Sequence, residues 1–281
     1  MIHLSNPIYS IFKNGSKTYF YSSLFFTGQT KSDVFKLYGF VRKADDYVDA
    51  IPQQIEEFYH FKDSYQKALK GTTTGNIVID SFVELKERKQ FSSKWIDAFL
   101  FSMESDITKH TYYTIDELKT YLYGSAEVVG LMMAQILDLP PQSHNAARYL
   151  GRAMQYINFI RDIQEDLKLG RIYLPLDELE QHNLKNLTYD DVIQHPQDFE
   201  DFISKQIERY QLWQAAAEQG FHFIPKTYRI PIKTASEMYK WTARQILNNP
   251  YKIYREKIKP SIIKILLNAA YNTIAVNALS N

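Results

Sequence analysis

Gln155-Tyr-Ile-Asn-Phe-Ile-Arg-Asp-Ile-Gln-Glu-Asp-Leu-Lys-Leu-Gly-Arg-Ile-Tyr-Leu-Pro175 is the stretch on which the reading of this chain turns. Up to Leu169 it carries no Gly or Pro, and its apolar residues recur at helical spacing, which predicts a helix. Gly170 supplies a C-terminal stop, and Pro175 keeps the chain from resuming a helix at once. At about 100° per residue, Gln155, Asn158, Asp162 and Asp166 fall within a quarter-turn sector. Two amides and two carboxylates therefore share one stripe. Like charges four residues apart cost an isolated helix a few tenths of a kcal/mol, so the fold either solvates them or uses them. Taken alone, such a pair reads first as a wet helix face.

Outward from that stretch, the pattern repeats. Between 31 and 50 a second long helical segment places Tyr38, Arg42, Asp45 and Asp49 within about 60° of one another. Leu37, Val41, Ala44 and Val48 form an apolar stripe beside them, so the polar stripe lies at the edge of the buried face. Asp46 points elsewhere and is expected in solvent. Two carboxylates one turn apart cannot act as an acid–base pair across a substrate, but they can hold a hard cation. Mg²⁺ takes oxygen ligands, keeps several waters and is commonly shared between one or two carboxylates and substrate phosphates. Two such stripes facing each other would bracket a diphosphate through bridging Mg²⁺ and neutralise the charge that develops as a C–O bond ionises.

The rest of the chain supports a helical frame. Breaks are sparse, and the segments between them predict helices at about 31–50, 54–70, 76–88, 92–109, 115–138, 143–168, 197–219, 232–248 and 260–279. That is an all-α pattern with no linker long enough to divide it, so residues 1–281 are read as a single domain. Lys+Arg 33 against Asp+Glu 32 lacks the charge excess of a general nucleic-acid binder. With no cysteine there is no disulfide or thiolate metal site, and the seven histidines do not cluster at zinc-ligand spacing. The opening MIHLSNPIYSIFKNGSK has no basic-then-apolar leader pattern. The longest charge-free run, Ile265–Asn281, holds four asparagines and is too short and polar to span a membrane. A soluble protein is expected. Tyr 21 and Phe 17 are high counts that suit an aromatic-rich core or a cavity lined with ring faces. Phe199, Phe202, Ile203, Ile207, Tyr210 and Trp213 follow helical spacing and are assigned to the core. From Lys226 to Lys264 ten Lys/Arg stand against Glu237 and Glu256 alone, a run that is either a solvated face or a contact with anionic lipid.

Ala44-Asp-Asp-Tyr-Val-Asp49 and Asn158 through Pro175 resemble the two signature motifs of the squalene/phytoene synthase family. The likeness continues through Phe101–Asp106, Tyr113–Tyr121 and Tyr123–Met132, and Gly15-Ser-Lys-Thr-Tyr-Phe-Tyr21 resembles the family's opening phosphate-contacting turn. It covers about residues 15–270. The resemblance implies a single-domain, all-α isoprenoid synthase helical bundle with a central cavity, acting as a prenyltransferase of isoprenoid and carotenoid biosynthesis. It implies head-to-head condensation of two prenyl diphosphates through a cyclopropyl diphosphate, with release of diphosphate. Asp45, Asp49, Asp162 and Asp166 would hold Mg²⁺, with Mn²⁺ as a substitute. Ser16, Thr18, Arg42, Gln155, Asn158, Arg171 and Tyr239 would contact diphosphate, and Tyr38 and Tyr121 would face the reacting carbons, with Arg42 beside them.

Geranylgeranyl diphosphate going to phytoene is the preferred reaction. Farnesyl diphosphate going to squalene or dehydrosqualene is the alternative, and NADPH is called for only in the squalene type. A non-catalytic assembly or binding relative is the rival from another class, and a plain helical scaffold the third. Ser102 and Glu127 depart from the family, which often has glycine there; Glu127 is expected to point outward. The expected location is cytoplasmic, with peripheral contact at the inner face of the membrane.

Overall fold

Leu37, Ala44 and Val48 are buried as one stripe of a 22-residue helix, and that helix sets the frame for everything around the cavity. The computed structural model describes residues 6–278. The expectation about the first residues, and the last residue of the helix expected over 260–279, fall outside that range. In chain order the helices are α1 (Asn6–Gly15), α2 (Lys17–Ser23), α3 (Gly28–Asp49), α4 (Ile55–Leu69), α5 (Ile77–Arg88) and α6 (Ser93–Thr108). They continue with α7 (Ile115–Leu122), α8 (Val128–Ile136), α9 (His144–Arg161), α10 (Ile163–Lys168), α11 (Leu176–Gln181) and α12 (Tyr189–Val192). The last four are α13 (Pro196–Glu218), α14 (Lys226–Asn248), α15 (Lys252–Arg255) and α16 (Ile262–Ala278). Among the described residues there is no strand, only one parallel bridge between Thr111 and Ile172.

The core forms two apolar clusters. One gathers α1, α3, α4, α5, α6 and α8 around Phe40, whose ring stacks on Phe82 at 3.8 Å between centroids. The other gathers α9, α13 and α14 around Ile157, Phe202, Ile207 and Tyr210. Phe199 and Ile203 join it as expected, while Trp213 packs half-buried with its ring edge against Tyr156. The cavity lies at the seam between the clusters, so residues that line it come from both.

Three expected helices differ in detail. The one expected over 143–168 is interrupted at Asp162, whose backbone (φ −100°, ψ 16°) separates α9 from α10. The one expected over 115–138 passes through a π-helical turn at Tyr123–Glu127. The Ser102 hydroxyl donates to the Tyr121 carbonyl just before that turn, at 3.1 Å. The helix expected to start at 232, after Pro231, starts at Lys226 instead. Proline costs only one backbone bond in the second turn, and Tyr228 anchors the first turn against Phe26 and the Thr30 hydroxyl.

Glu127 does not point outward. It is completely buried, and its carboxylate accepts from Arg148 Nε at 2.8 Å and Arg152 Nε at 2.7 Å. Two guanidiniums on α9 compensate the burial that argued for solvent. The side chain lines neither cavity described below.

Glycine sets the spacing at the same contact. A Cβ on Gly151 would lie 2.3 Å from the Ala126 carbonyl oxygen, and one on Gly130 would lie 2.2 Å from that of Ala147. The π turn and α8 thus meet α9 backbone to backbone. Gly151→Ala should destabilise the protein by about 1–3 kcal/mol, since neither helix can yield without moving the other; urea unfolding of the variant checks it.

Candidate active site

Two helix faces meet at the cavity. From α3 come Tyr38, Arg42, Asp45 and Asp49; from α9, α10 and the residue between them come Gln155, Asn158, Asp162 and Asp166. The cavity measures about 600 Å³, and its wall also includes Ser16, Thr18, Tyr121, Arg171 and Tyr239. All the side chains singled out in the sequence therefore line one space. Asp46 does not; it pairs with Arg42 at 2.6 Å on the outer side.

Three of the four aspartates are tied to a cation. Arg42 Nη1 donates to Asp45 Oδ2 at 2.9 Å. Arg171 Nη1 donates to Asp49 Oδ1 at 2.6 Å, and Arg161 holds Asp162 through two N–H groups, the Nε bond at 2.8 Å. Asp166 has no arginine ion pair among the described residues. Desolvation and the neighbouring Asp49 carboxylate push Asp45 well above the usual carboxylate range. Desolvation, Asp162 and Asp49 do the same to Asp166. Negative potential thus accumulates between the stripes, which is where a cation would be taken up.

Several wall residues were not singled out beforehand. Asp106, on α6, is 2% exposed and accepts the Tyr121 hydroxyl at 2.6 Å and the Tyr173 hydroxyl at 2.8 Å. Burial raises it to about 6, with Arg171 and the two hydroxyls opposing. It fixes the Tyr121 ring. Tyr19 stands where the polar cavity opens into an apolar one, its ring 5.5 Å from that of Tyr239. Burial pushes Tyr19, Tyr38, Tyr121 and Tyr239 upward, so all four remain neutral phenols. Lys17, Arg161, Lys168, Lys257 and Lys259 complete the cationic wall. Asp106, Arg161 and Tyr173 all lie within stretches already quoted, so their positions in the motifs were the available signal. Lys257 and Lys259 belong to the basic run, and their side chains reach the cavity.

Six carboxylates and seven cationic side chains line this space together. A bare cation site would not need the cations, and a bare anion site would not tolerate the carboxylates. A polyanion carried with divalent cations suits both sets. The donor set passes the test for Mg²⁺: the four aspartates offer only hard oxygen. Among the described residues no three acidic or histidine groups form a cluster that could hold a metal ion by themselves, and Mg²⁺ would need ligands from a bound phosphate as well. Asn158 Oδ1, Arg171 Nε and Ser125 Oγ are buried without partners on the same wall, so polar capacity is in place for a ligand.

The apolar space beyond Tyr19 is walled by bulky apolar side chains such as Leu37, Leu137 and Met154, with small residues, among them Gly130, Ala134, Ala147 and Gly151, along α8 and α9. It follows α8 from Ser125 to Leu137 and α9 from Gln155 back to Ser143. Its volume is about 270 Å³.

Comparison with known proteins bears on this arrangement. Residues 12–264 match the family described as squalene/phytoene synthase. A chloroplastic phytoene synthase of Zea mays is 28% identical over 288 residues, covering 93% of this chain and 67% of the relative. A 15-cis-phytoene synthase of Synechocystis sp. is 26% identical over 260 residues, covering 86% and 76%. The chain spans only 61% of the phytoene synthase of Narcissus pseudonarcissus. Among solved structures, a dehydrosqualene synthase in complex with ligand superposes with a TM-score of 0.84 at 19% identity, over 96% of this chain and 95% of that one. A squalene synthase from Alicyclobacillus acidocaldarius gives 0.76 at 21% identity, over 87% and 93%. At such identities the structural likeness speaks for the fold.

Mg²⁺ and inorganic pyrophosphate together should raise the thermal midpoint by several degrees, because a ligand at about 100 times its dissociation constant adds about 2.7 kcal/mol. Either alone should give a smaller shift, and Asp45→Asn with Asp166→Asn should remove the joint effect. Differential scanning fluorimetry reads all three.

Proposed function

This chain belongs to the squalene/phytoene synthase family of prenyltransferase-type enzymes, and from that premise we propose that it condenses two molecules of geranylgeranyl diphosphate head to head into phytoene. The observation that carries the reading is the joined pair of spaces, one walled by paired carboxylates and cations, the other apolar. A diphosphate and its prenyl tail divide between them. The likeness along most of the chain to relatives named phytoene synthase favours the C20 substrate over farnesyl diphosphate.

Asp45, Asp49, Asp162 and Asp166 would hold Mg²⁺, which when bound neutralises charge on the departing diphosphate. Arg42, Arg171, Ser16 and Thr18, with Lys17, Arg161 and Lys257 around them, would bind and orient the diphosphate oxygens. Gln155, Asn158 and Tyr239 would place the first carbon at the boundary between the two spaces. As the C–O bond of one substrate breaks, its electron pair leaves with diphosphate. The double bond of the second substrate attacks the allylic cation and a proton is lost, giving a cyclopropyl diphosphate. Breaking its C–O bond releases the second diphosphate, and loss of another proton from the rearranged cation leaves the hydrocarbon. Tyr38 and Tyr121 would turn ring faces toward these cations. Tyr121 is held in place by Asp106, and Tyr38 by stacking on Phe12 at 3.9 Å. The apolar wall excludes water that would otherwise trap the cation.

No described helix is long and apolar enough to cross a membrane.

Purified protein with geranylgeranyl diphosphate and Mg²⁺, without NADPH, should yield a C40 hydrocarbon by chromatography and mass spectrometry. Squalene formed only from farnesyl diphosphate with NADPH would overturn the substrate assignment and spare the site. No product from either substrate would favour a non-catalytic relative. Asp162→Asn should lower turnover at least about a hundredfold, and near-normal activity would remove Asp162 from the metal site. Ala134→Phe, about three helical turns down the tunnel, should shift preference toward the C15 substrate by about 10- to 200-fold, read as the ratio of kcat/KM values.

A further inference from the structure

Ile265, Ala269 and Asn272 turn one face of α16 into the protein, where Asn272 Nδ2 donates to the Thr234 hydroxyl at 3.2 Å. The opposite face is also apolar, and it is bare. Ile263 is 70% exposed, Leu267 67%, Tyr271 67% and Ile274 69%. These four recur at i, i+4, i+8 and i+11, within about 80° of the helix circumference, and Ile262 and Leu266 widen the stripe. A contiguous apolar face of this kind on a helix surface marks an interaction site.

The charge around it selects the occupant. Arg255 and Lys264 are exposed on the approach to α16 and in its first turn, while Lys257 and Lys259 between them turn to the polar cavity. The segment Lys226–Lys264 carries ten Lys/Arg and two Glu in a chain whose overall charge is +1, so the remainder of the chain is negative. α16 itself has no acidic residue. A second copy docked through the same helix would set these cations against an α16 with no acidic residue to compensate them. Anionic headgroups over an acyl layer match the stripe and its basic margin. α16 also packs on α2 and α14, and these helices supply Ser22, Ser23, Pro231, Ile232 and Ala235 to the apolar tunnel.

We propose that the outer face of α16 is a lipid-docking surface that seats the protein on an anionic bilayer, with the apolar tunnel walls directly behind it. Substrates with long prenyl tails and a hydrocarbon product both partition into such a layer. The assignment rests on α16 and its charged margin, and it holds for either prenyl chain length.

The test is sedimentation with vesicles. Full-length protein should pellet with equimolar phosphatidylglycerol and phosphatidylcholine, pellet at least tenfold less with phosphatidylcholine alone, and be released by added salt. Ile263→Asp with Leu267→Asp should lower the vesicle-bound fraction at least tenfold. Tyr271→Asp with Ile274→Asp, two turns further on, should do the same. Both double variants should keep the wild-type thermal midpoint and the turnover of detergent-dispersed substrate. Failure of the wild type to pellet, equal pelleting with phosphatidylcholine alone, undiminished pelleting of both variants, or a light-scattering dimer that either variant splits would each overturn the proposal. Pelleting is read without turnover, so a protein that makes no C40 hydrocarbon would leave this result standing.

Discussion

The geometry of the site depends on one buried guanidinium. Arg171 is 2% exposed, and Nη1 reaches Asp49 and the Tyr173 hydroxyl while Nη2 reaches the carbonyls of Val48 at 2.7 Å and Asp106 at 3.0 Å. Those two carbonyls lie in the last turns of α3 and α6, where backbone acceptors lose their helical partners and the helix dipoles present their negative ends. A single side chain thus caps two helices. The Gln53 amide reaches the same two carbonyls from the other side, at 2.8 and 2.9 Å. Burying a guanidinium costs several kcal/mol unless its N–H groups are met, so the partners must stay where they are. The chain after α10 is held in turn by the bridge at Thr111, with Ile172 N donating to the His110 carbonyl at 2.8 Å. Asp49, Asp106 and Asp166 are placed relative to one another through this joint.

The joint also explains which parts of the site could be read from sequence. Asp45 with Asp49, and Asp162 with Asp166, were legible because helical spacing alone puts each pair on one stripe. That the stripes share a cavity was inferred from motif resemblance, since periodicity says nothing about which helices face each other. Arg171 was legible as a motif position, but its double capping role needs the ends of α3 and α6 to be adjacent. The interruption at Asp162 was hidden because a single non-helical residue leaves the apolar period almost unchanged. The π turn at Tyr123–Glu127 escaped for the same reason. Short helices such as α2, α11 and α15 have too few residues to establish a period. Glu127 went the wrong way because the penalty for a buried carboxylate was weighed without its partners. Arg148 and Arg152 lie about 20 residues further on, and only the packing of the π turn on α9 brings them together.

The glycine contacts connect that packing to the tunnel. Gly130 against Ala147 and Gly151 against Ala126 bring backbones together, as small residues do wherever helices must approach closely. Side chains that small cannot fill the space they face. The same glycines and alanines that tighten the α8–α9 contact therefore leave the tunnel beside it open. A bulkier residue at Gly151 would not merely narrow the tunnel; it would part the helices.

The boundary between the two spaces is then the only place where the proposed reaction can proceed. In the apolar tunnel a carbocation would find the rings of Phe26 and Phe221 but no charged side chain to counter it. In the polar cavity it would meet carboxylates and water. Tyr19, Tyr38, Ser125 and Gln155 line both spaces, and the two phenols are kept neutral by burial. Neutral rings can offer their faces to a cation without forming a bond to it, whereas a phenolate would be a nucleophile. Desolvation that would be a liability elsewhere is thus a requirement here: it holds Tyr19 and Tyr38 protonated beside a wall of arginines. In the proposed reaction a tail seated in the apolar space would leave its first carbon at this layer, so the length of that space and the place of reaction would be coupled.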